Sequence, residues 1–572
     1  MKPSSALTVV LVWLALALTT LLIALPQIGD LGLYYDEAFL AQQARDFVEP
    51  DRAGVHPPSV QSISIAGRSF PIRNAAYLGS LKSQLLIPSL ALFGSSPFVL
   101  RTTTLVIGLL GLLFFMLWIN RLLGGGVAMI SGLLIASDPS FHFFAQFEWG
   151  PFTSMLLCRG AGLYLLSLAF DFDRPGLRWF SLSMGAACMG LGVYSRVDFV
   201  VILAALAISL LAFRRDLVST ALREHRAKLI VGSAVFLLTA SPVIAALDPI
   251  LSAGAQIADR GGFDYRVNVL ASVLDGSHFH RVIAAGGLFD ELFADELLAG
   301  SAPTTGFIVL LCASVIALIS LVQRSSTTRA GTVRFLLSSA LLVGLGMLAI
   351  PAAVRAHHML NTLPLPHLIV AAAGVGLWHR GWASDRNQKL ARASLVVALI
   401  AGLTSNATSL AATRGLIHET GGVGRWSLAL QEFIGETDLA PNATKTEVVS
   451  LDWGFHEPVL FTTQRLKASE PIWAMSQAAA RRARYVMKGD RDTIYLIHEP
   501  PYDLFGFGRQ FVRALRVSDP ERYTVEQHRD GVGNLAFKSV RFDRPHELSF
   551  DGIFRIKLSE AEPPRPAPAV VP

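Results

Sequence analysis

Two adjacent carboxylates, Asp36 and Glu37, stand about ten residues past the end of the first long apolar run, flanked by Tyr34, Tyr35 and Phe39. A chain leaving a bilayer has little structural reason to place two acids together at that level. The pair has the character of half an active site; the plainer alternative is a solvated first helical turn stabilised by the helix dipole. Other residues able to do chemistry share that side of the chain: a third carboxylate, Glu148, and the cations Lys82, Arg101, Arg355, His357 and His358. Lysine and arginine suit a phosphate, although each alone also reads as a side chain snorkelling to the interface. The adjacent imidazoles of His357 and His358 are less easily explained that way. Their spacing makes no recognisable zinc motif, so no cofactor is called for and a divalent metal stays an open alternative.

The elements that must position these residues follow from composition. Of 572 residues, 52% are hydrophobic and only 16% charged, with a mean hydropathy of +0.47. That is too apolar for an ordinary soluble protein of this size. Runs long enough to cross a bilayer recur over 6–25, 100–122, 125–142, 151–170, 179–195, 197–213, 229–247, 304–322, 335–352, 362–379 and 393–411. The expected architecture is a polytopic α-helical membrane protein of about eleven spans, its two ends on opposite faces. One set of loops carries Lys2, Arg121, Arg174, Arg178, the cluster from Arg214 to Lys228, Arg324, Arg329, Arg334 and the run from Arg380 to Arg392. By the positive-inside rule this face is cytoplasmic. The 26–99 loop, the turn at Glu148, the 248–303 loop, the turn from Arg355 to Asn361 and everything after 412 lie opposite.

The net charge of +6 is largely accounted for by the cytoplasmic loops and does not call for nucleic acid as a partner. Cys158, Cys188 and Cys312 fall in apolar runs and imply no disulfide framework. The first run lacks a convincing small-residue cleavage site before Pro26 and reads as an uncleaved span. Arg159, inside the 151–170 run, has no explanation in this scheme, and Arg196 with Asp198 reads as a short turn between two spans.

The 26–99 loop has its own pattern. Ala38, Phe39, Ala41, Ala44, Phe47 and Val48 form an apolar stripe with Gln42, Gln43, Arg45, Asp46 and Glu49 opposite, as in a helix lying on the membrane surface. Leu81 to Phe93, about a dozen residues with Pro88 inside, reads as a re-entrant or interfacial helix rather than a span. Beyond 412, the strand-like runs 447–451 and 493–497 alternate with helical stretches at 471–484 and 506–515. These predict a soluble α/β domain over 412–560, followed by a disordered Pro-rich tail over 561–572.

In this order of elements the chain resembles the GT-C membrane glycosyltransferases, in particular bacterial relatives of dolichyl-phosphate-mannose–protein mannosyltransferases (family 39 type) and of the lipid A aminoarabinose transferase. The resemblance rests on the Asp36-Glu37 pair after the first span, Leu92-Phe93-Gly94 closing the loop and Phe98 to Arg101 entering the next span. The Phe147-Glu148-Trp149-Gly150-Pro151 turn, the His357-His358-Met359-Leu360 turn and a closing soluble domain complete it. The departure is at the end of the first loop, where Tyr77 to Lys82 replace a His-Pro-Pro-Leu-Tyr-like stretch.

The resemblance implies transfer of a sugar from a polyprenyl-phosphate carrier, at a bilayer, to a protein, lipid or polysaccharide acceptor outside the cytoplasm of a bacterial inner membrane. Asp36 would be the general base and Glu37 would orient it or the acceptor. Glu148 would meet acceptor or metal. Lys82, Arg101, Arg355, His357 and His358 would hold the donor phosphate or, failing them, Arg260, Arg266 and Arg281. A transporter or flippase of a lipid-linked substrate is the alternative, but it would show internal repeats and charges lining a path through the spans. A non-catalytic relative is a third reading, against which the Asp36-Glu37 pair weighs. A reporter active only in the cytoplasm, fused after Pro572, is expected to be silent; strong signal would put Asp36 and the C-terminal region on different faces.

Overall fold

The computed structural model describes residues 3–52, 60–169, 175–246, 262–287, 302–323, 328–350, 355–380, 384–517 and 520–558, and all that follows concerns these. A helix stands at each of the eleven runs, from Pro3–Ala24 to Asp385–Thr420. Six helical stretches are long and apolar enough to cross a membrane: Ser5–Gln27, Pro97–Leu123, Arg226–Ile244, Ala330–Ala349, Ala356–Trp378 and Asp385–Thr420. Gly125–Ser137, Phe152–Leu168, Phe199–Phe213 and Phe307–Gln323 are apolar but shorter. On the first helix Leu7, Leu11, Leu14, Leu18 and Leu22 are each 49–65% exposed. An outward leucine stripe at helical spacing is stable only against lipid. The chain is a polytopic helical membrane protein.

Small residues set how closely these helices pack. A Cβ at Gly160 would lie 2.7 Å from the Gly111 carbonyl oxygen, and one at Gly111 would lie 2.8 Å from the Leu157 nitrogen. Helices Pro97–Leu123 and Phe152–Leu168 therefore touch backbone to backbone, the close approach that small residues permit where no hydrophobic drive separates helix from lipid. At the mouth of the former, Ser96 accepts from the Val99 N–H at 3.2 Å and Pro97 occupies the first turn; Gly94, at φ +80°, closes the preceding helix Leu81–Phe93.

Helix Tyr35–Val48 departs from expectation. Ala38, Ala41 and Ala44 of its apolar stripe are buried and Phe39, Phe47 and Val48 half-buried, but Gln42, Gln43, Arg45 and Asp46 on the polar side are buried as well. They face protein, not water. Helix Leu81–Phe93, strand Arg68–Ala75 and helix His456–Thr462 all pack against it, and Arg45 Nη2 donates to the Thr463 carbonyl at 2.5 Å. Strands Gln61–Ile65 and Arg68–Ala75 form an antiparallel hairpin, turning at Ala66 and Gly67, both with positive φ, as a two-residue connection requires.

Helix Asp385–Thr420 runs on past 412 and ends at Gly421 in the left-handed conformation. The chain then builds a five-stranded sheet in the order Lys467–Ser469, Glu447–Ser450, Thr493–Ile497, Leu535–Phe542, Tyr523–Arg529. The first two pairings are parallel and the last two antiparallel. Central strand Thr493–Ile497 is buried on both faces. Ile494 and Leu496 join one core with Phe433 and Val459, whereas Tyr495 and Ile497 join another with Phe511 and Phe542, following the two-residue alternation of a strand. A second, three-stranded antiparallel sheet has the order Phe554–Leu558, His546–Phe550, Tyr485–Gly489. The helix expected over 471–484 is Ile472–Ala480, after which the chain turns into this strand. The tail expected from 561 lies outside the described residues.

Candidate functional site

Arg101 enters the site from the first turns of helix Pro97–Leu123 and is fully buried. Its Nε and Nη2 donate to Glu37 at 2.9 and 3.0 Å, and its remaining N–H groups donate to the carbonyls of Ile28, Leu31 and Gly32 at 2.7–2.9 Å. All five guanidinium donors are thereby engaged, and the guanidinium lies 4.7 Å from the centre of the Phe147 ring. This corrects the expectation for Arg101 as a phosphate ligand: it is a brace. Glu37 in turn accepts from the Tyr34 N–H at 3.3 Å, closing the first turn of helix Tyr35–Val48. Glu37 is thus buried and committed to Arg101.

Lys82 and Glu148, both buried, form an ion pair with each other, and Glu148 also accepts from the Thr153 N–H. Burial raises the Glu148 carboxyl while Lys82 draws it back down. Glu148 is followed by Trp149 and by Gly150 at φ +69°, where a Cβ would lie 3.0 Å from Arg196 Nη1 and 3.5 Å from His357. Arg196, which sequence reasoning left as part of a turn, therefore belongs to the site. Its Nε lies 3.3 Å from Asp198 Oδ2, and that oxygen also meets His358 Nδ1 at 2.9 Å. The signal was present: two opposite charges in an otherwise apolar stretch.

His357 lies with its ring centre 4.5 Å from that of His358, and its buried Nδ1 has no partner. The turn that carries both is held from below by Arg159, whose Nη1 donates to the Asn361 carbonyl at 2.8 Å and whose Nη2 donates to that of Leu363. This accounts for a buried arginine inside an apolar helix. Arg266, in helix Phe263–Leu274, spends its Nε on the Leu348 carbonyl; Arg260 lies outside the described residues.

Asp36 is the exception among these acids. It is half-buried, yet among the described residues no hydrogen bond or ion pair engages its carboxylate. Burial pushes its carboxyl up to about 6, Arg355, Arg196 and Lys82 hold it down, and neighbouring Glu37 raises it. The carboxylate is thus open, flanked by cations and close to neutral pH in its titration. Among the described residues no group of three or more His, Cys, Asp or Glu is gathered to hold a metal.

Aromatic rings from both halves of the chain wall the site. Tyr34 stacks on Trp426 with centres 4.3 Å apart and meets Trp149 and Trp453 at 5.7 and 5.6 Å; Tyr35 lies 4.6 Å from Trp453. Trp149 stood out in the sequence only as part of the turn around Glu148, and Trp426 and Trp453 not at all, because only the fold brings residues 149, 426 and 453 together.

Residues 85–245 match the family model described as dolichyl-phosphate-mannose-protein mannosyltransferase. No curated protein sequence matches the chain. Several solved structures are similar to it, among them the following two. ArnT from Cupriavidus metallidurans in the apo state superposes with a TM-score of 0.50 at 13% identity, over 93% of this chain and 97% of that one. The archaeal oligosaccharyltransferase AglB from Archaeoglobus fulgidus, in complex with an inhibitory peptide and a dolichol-phosphate, gives 0.50 at 12% identity, over 80% of this chain and 64% of that one. The fold is that of the GT-C membrane proteins.

Arg101→Leu strands the Glu37 charge in the interior. It is expected to destabilise the protein by about 3–5 kcal/mol, read as a lowered thermal midpoint in detergent, whereas Arg101→Leu with Glu37→Leu restores much of the loss. Equal midpoints for wild type and Arg101→Leu would show that the clamp does not hold the loop.

Proposed function

We propose that this chain, a membrane glycosyltransferase of GT-C type, moves a sugar from a polyprenyl-phosphate carrier to an acceptor hydroxyl outside the cytoplasm. One observation carries the reading: Asp36 is the carboxylate left open in a cluster where Glu37, Glu148 and Asp198 are each committed to a cation. Asp36 takes the proton of the acceptor hydroxyl as its oxygen bonds to the anomeric carbon. The bond from that carbon to the phosphate oxygen breaks, and the polyprenyl phosphate leaves with the electron pair. Arg355, with Arg196 and the imidazole of His357 beside it, faces the charge that builds on the phosphate. Lys82 is paired with Glu148 and acts on Asp36 through its field.

In this reading the chain sits in a bacterial inner membrane with about eleven spans, and the C-terminal fold lies on the same outer face as Asp36. The AglB structure, which holds both a peptide and a dolichol-phosphate, supports a site served by a lipid-borne donor and a separate acceptor. The sugar and the acceptor are to be found with a panel of labelled polyprenyl-phosphate sugars, following release of the lipid phosphate.

Asp36→Asn keeps the shape of the side chain and removes the basic oxygen. Turnover is expected to fall about a hundred- to ten-thousand-fold with donor binding retained; wild-type turnover in this variant would remove Asp36 from the reaction.

The pH dependence follows from the same group. A base works ionised, so the rate is expected to rise as pH climbs through about 6 and to level off above it. Arg355→Gln removes a cation that holds the carboxyl down, and should move this limb to higher pH as well as slowing turnover. A limb that stays put in Arg355→Gln would separate the titrating group from Asp36.

A further inference from the structure

Helix His456–Thr462 of the C-terminal fold packs on helix Tyr35–Val48. Phe461, fully buried, shares an apolar cluster with Ala38, Ala41 and Ala44. Three such small side chains under one ring leave a close-packed seam with little room for water. An acid is trapped in it. Glu457 is 1% exposed, and neither of its carboxyl oxygens has a hydrogen-bond partner. Pro458, the next residue, has no N–H to offer it. A carboxyl so placed takes up a proton rather than carry a charge without donor or counter-ion.

The neighbours reinforce this. The charged groups that act on Glu457 are Glu470 and Asp46, and with burial as the larger cause they hold its carboxyl well above the usual range. Glu470 accepts from the Tyr35 hydroxyl at 3.1 Å and from Trp473 Nε1 at 2.8 Å through one oxygen, while its other oxygen is buried without a partner. Burial pushes the Glu470 carboxyl up to about 7; Trp473 and Tyr35 lower it and Asp452 raises it. Asp46, 4% exposed, accepts from the Gln42 amide at 2.8 Å. The cation of the same helix, Arg45, donates to the Thr463 carbonyl and pairs with Glu49. On the far side of helix His456–Thr462, Asp438 accepts from Thr463, Gln464 and Arg465, and Glu432, Glu436 and Lys467 are exposed. Acids from three parts of the chain thus meet across one seam, and no cation is among the groups that act on Glu457.

We propose that the junction between helix Tyr35–Val48 and the C-terminal fold is a pH-sensitive latch, closed while Glu457 carries its proton and loosened when Glu457 ionises against Glu470 and Asp46. The helix it holds is the one whose first turn carries Asp36 and Glu37. The latch does not depend on the role given to Asp36.

The sign follows from linkage. The folded chain keeps a proton that the unfolded chain gives up near 4.5, so the stability it contributes is full below that value and is lost as pH climbs through about 7 and beyond. Glu457→Gln keeps the shape of the neutral acid and cannot ionise. Thermal midpoints of the full-length protein in detergent are expected to coincide for wild type and Glu457→Gln at about pH 5 and to separate towards about pH 8.5 with the variant higher, each bound proton changing the unfolding equilibrium by up to about tenfold per pH unit. A glutamate with only a packing role would leave the variant no more stable than wild type at any pH. Hydrogen exchange, corrected for intrinsic rate, tests the unaltered protein: protection over Tyr35–Val48 and His456–Thr462 should fall from the lower pH to the higher in wild type and hold in Glu457→Gln. Parallel midpoints, a variant less stable at the higher pH, or wild-type protection of both helices that does not change with pH would overturn the proposal. Asp36→Asn should leave the separation of the midpoints in place, and its loss in that background would assign the titration to Asp36 and overturn the latch.

Discussion

The arrangement of the site depends on one buried cation. A guanidinium in the interior is tolerable only if its five donors are met, and Arg101 meets them with Glu37 and three carbonyls from residues 28 to 32. That demand fixes the path by which the chain leaves its first helix and starts the next. It also settles which of two adjacent acids is occupied. Successive residues in a helical turn point about 100° apart, so with Glu37 turned onto Arg101, Asp36 is turned away from it, toward Arg196 and Arg355.

The other pairs then tune the open carboxylate without touching it. Glu148 absorbs Lys82, and Asp198 absorbs part of Arg196 and the imidazole of His358. Had any of these cations been a direct partner of Asp36, its carboxyl would lie low and its oxygen would be a poor base. Had none been near, burial would push its carboxyl higher. The balance struck at about 6 is what proton abstraction needs: a group ionised at pH 7 and still basic.

What could be read from the sequence followed from local rules. The apolar runs, the presence of a helix after the Asp36-Glu37 pair, the proline-containing helix at 81–93 and the strand-like runs 447–451 and 493–497 all come from periodicity within a window, and the pair itself stood out by its address. What could not be read depends on partners far along the chain. Arg101 looked like an interfacial cation because its acceptors lie some seventy residues away. The polar side of helix Tyr35–Val48 looked solvated because the element that covers it, His456–Thr462, comes more than four hundred residues later. Strands Lys467–Ser469 and Tyr485–Gly489 are three and five residues long with mixed polarity, and short edge strands carry almost no period.

The stack of Tyr34 on Trp426, with Trp149 and Trp453 around it, explains why the C-terminal fold belongs to the site rather than being an appendage. Tyr34 and Tyr35 immediately precede Asp36 in sequence, and the rings that cover them come from residues 149, 426 and 453. Such a wall excludes water from the side of the carboxylate, which strengthens the field of Arg196 and Arg355 on it.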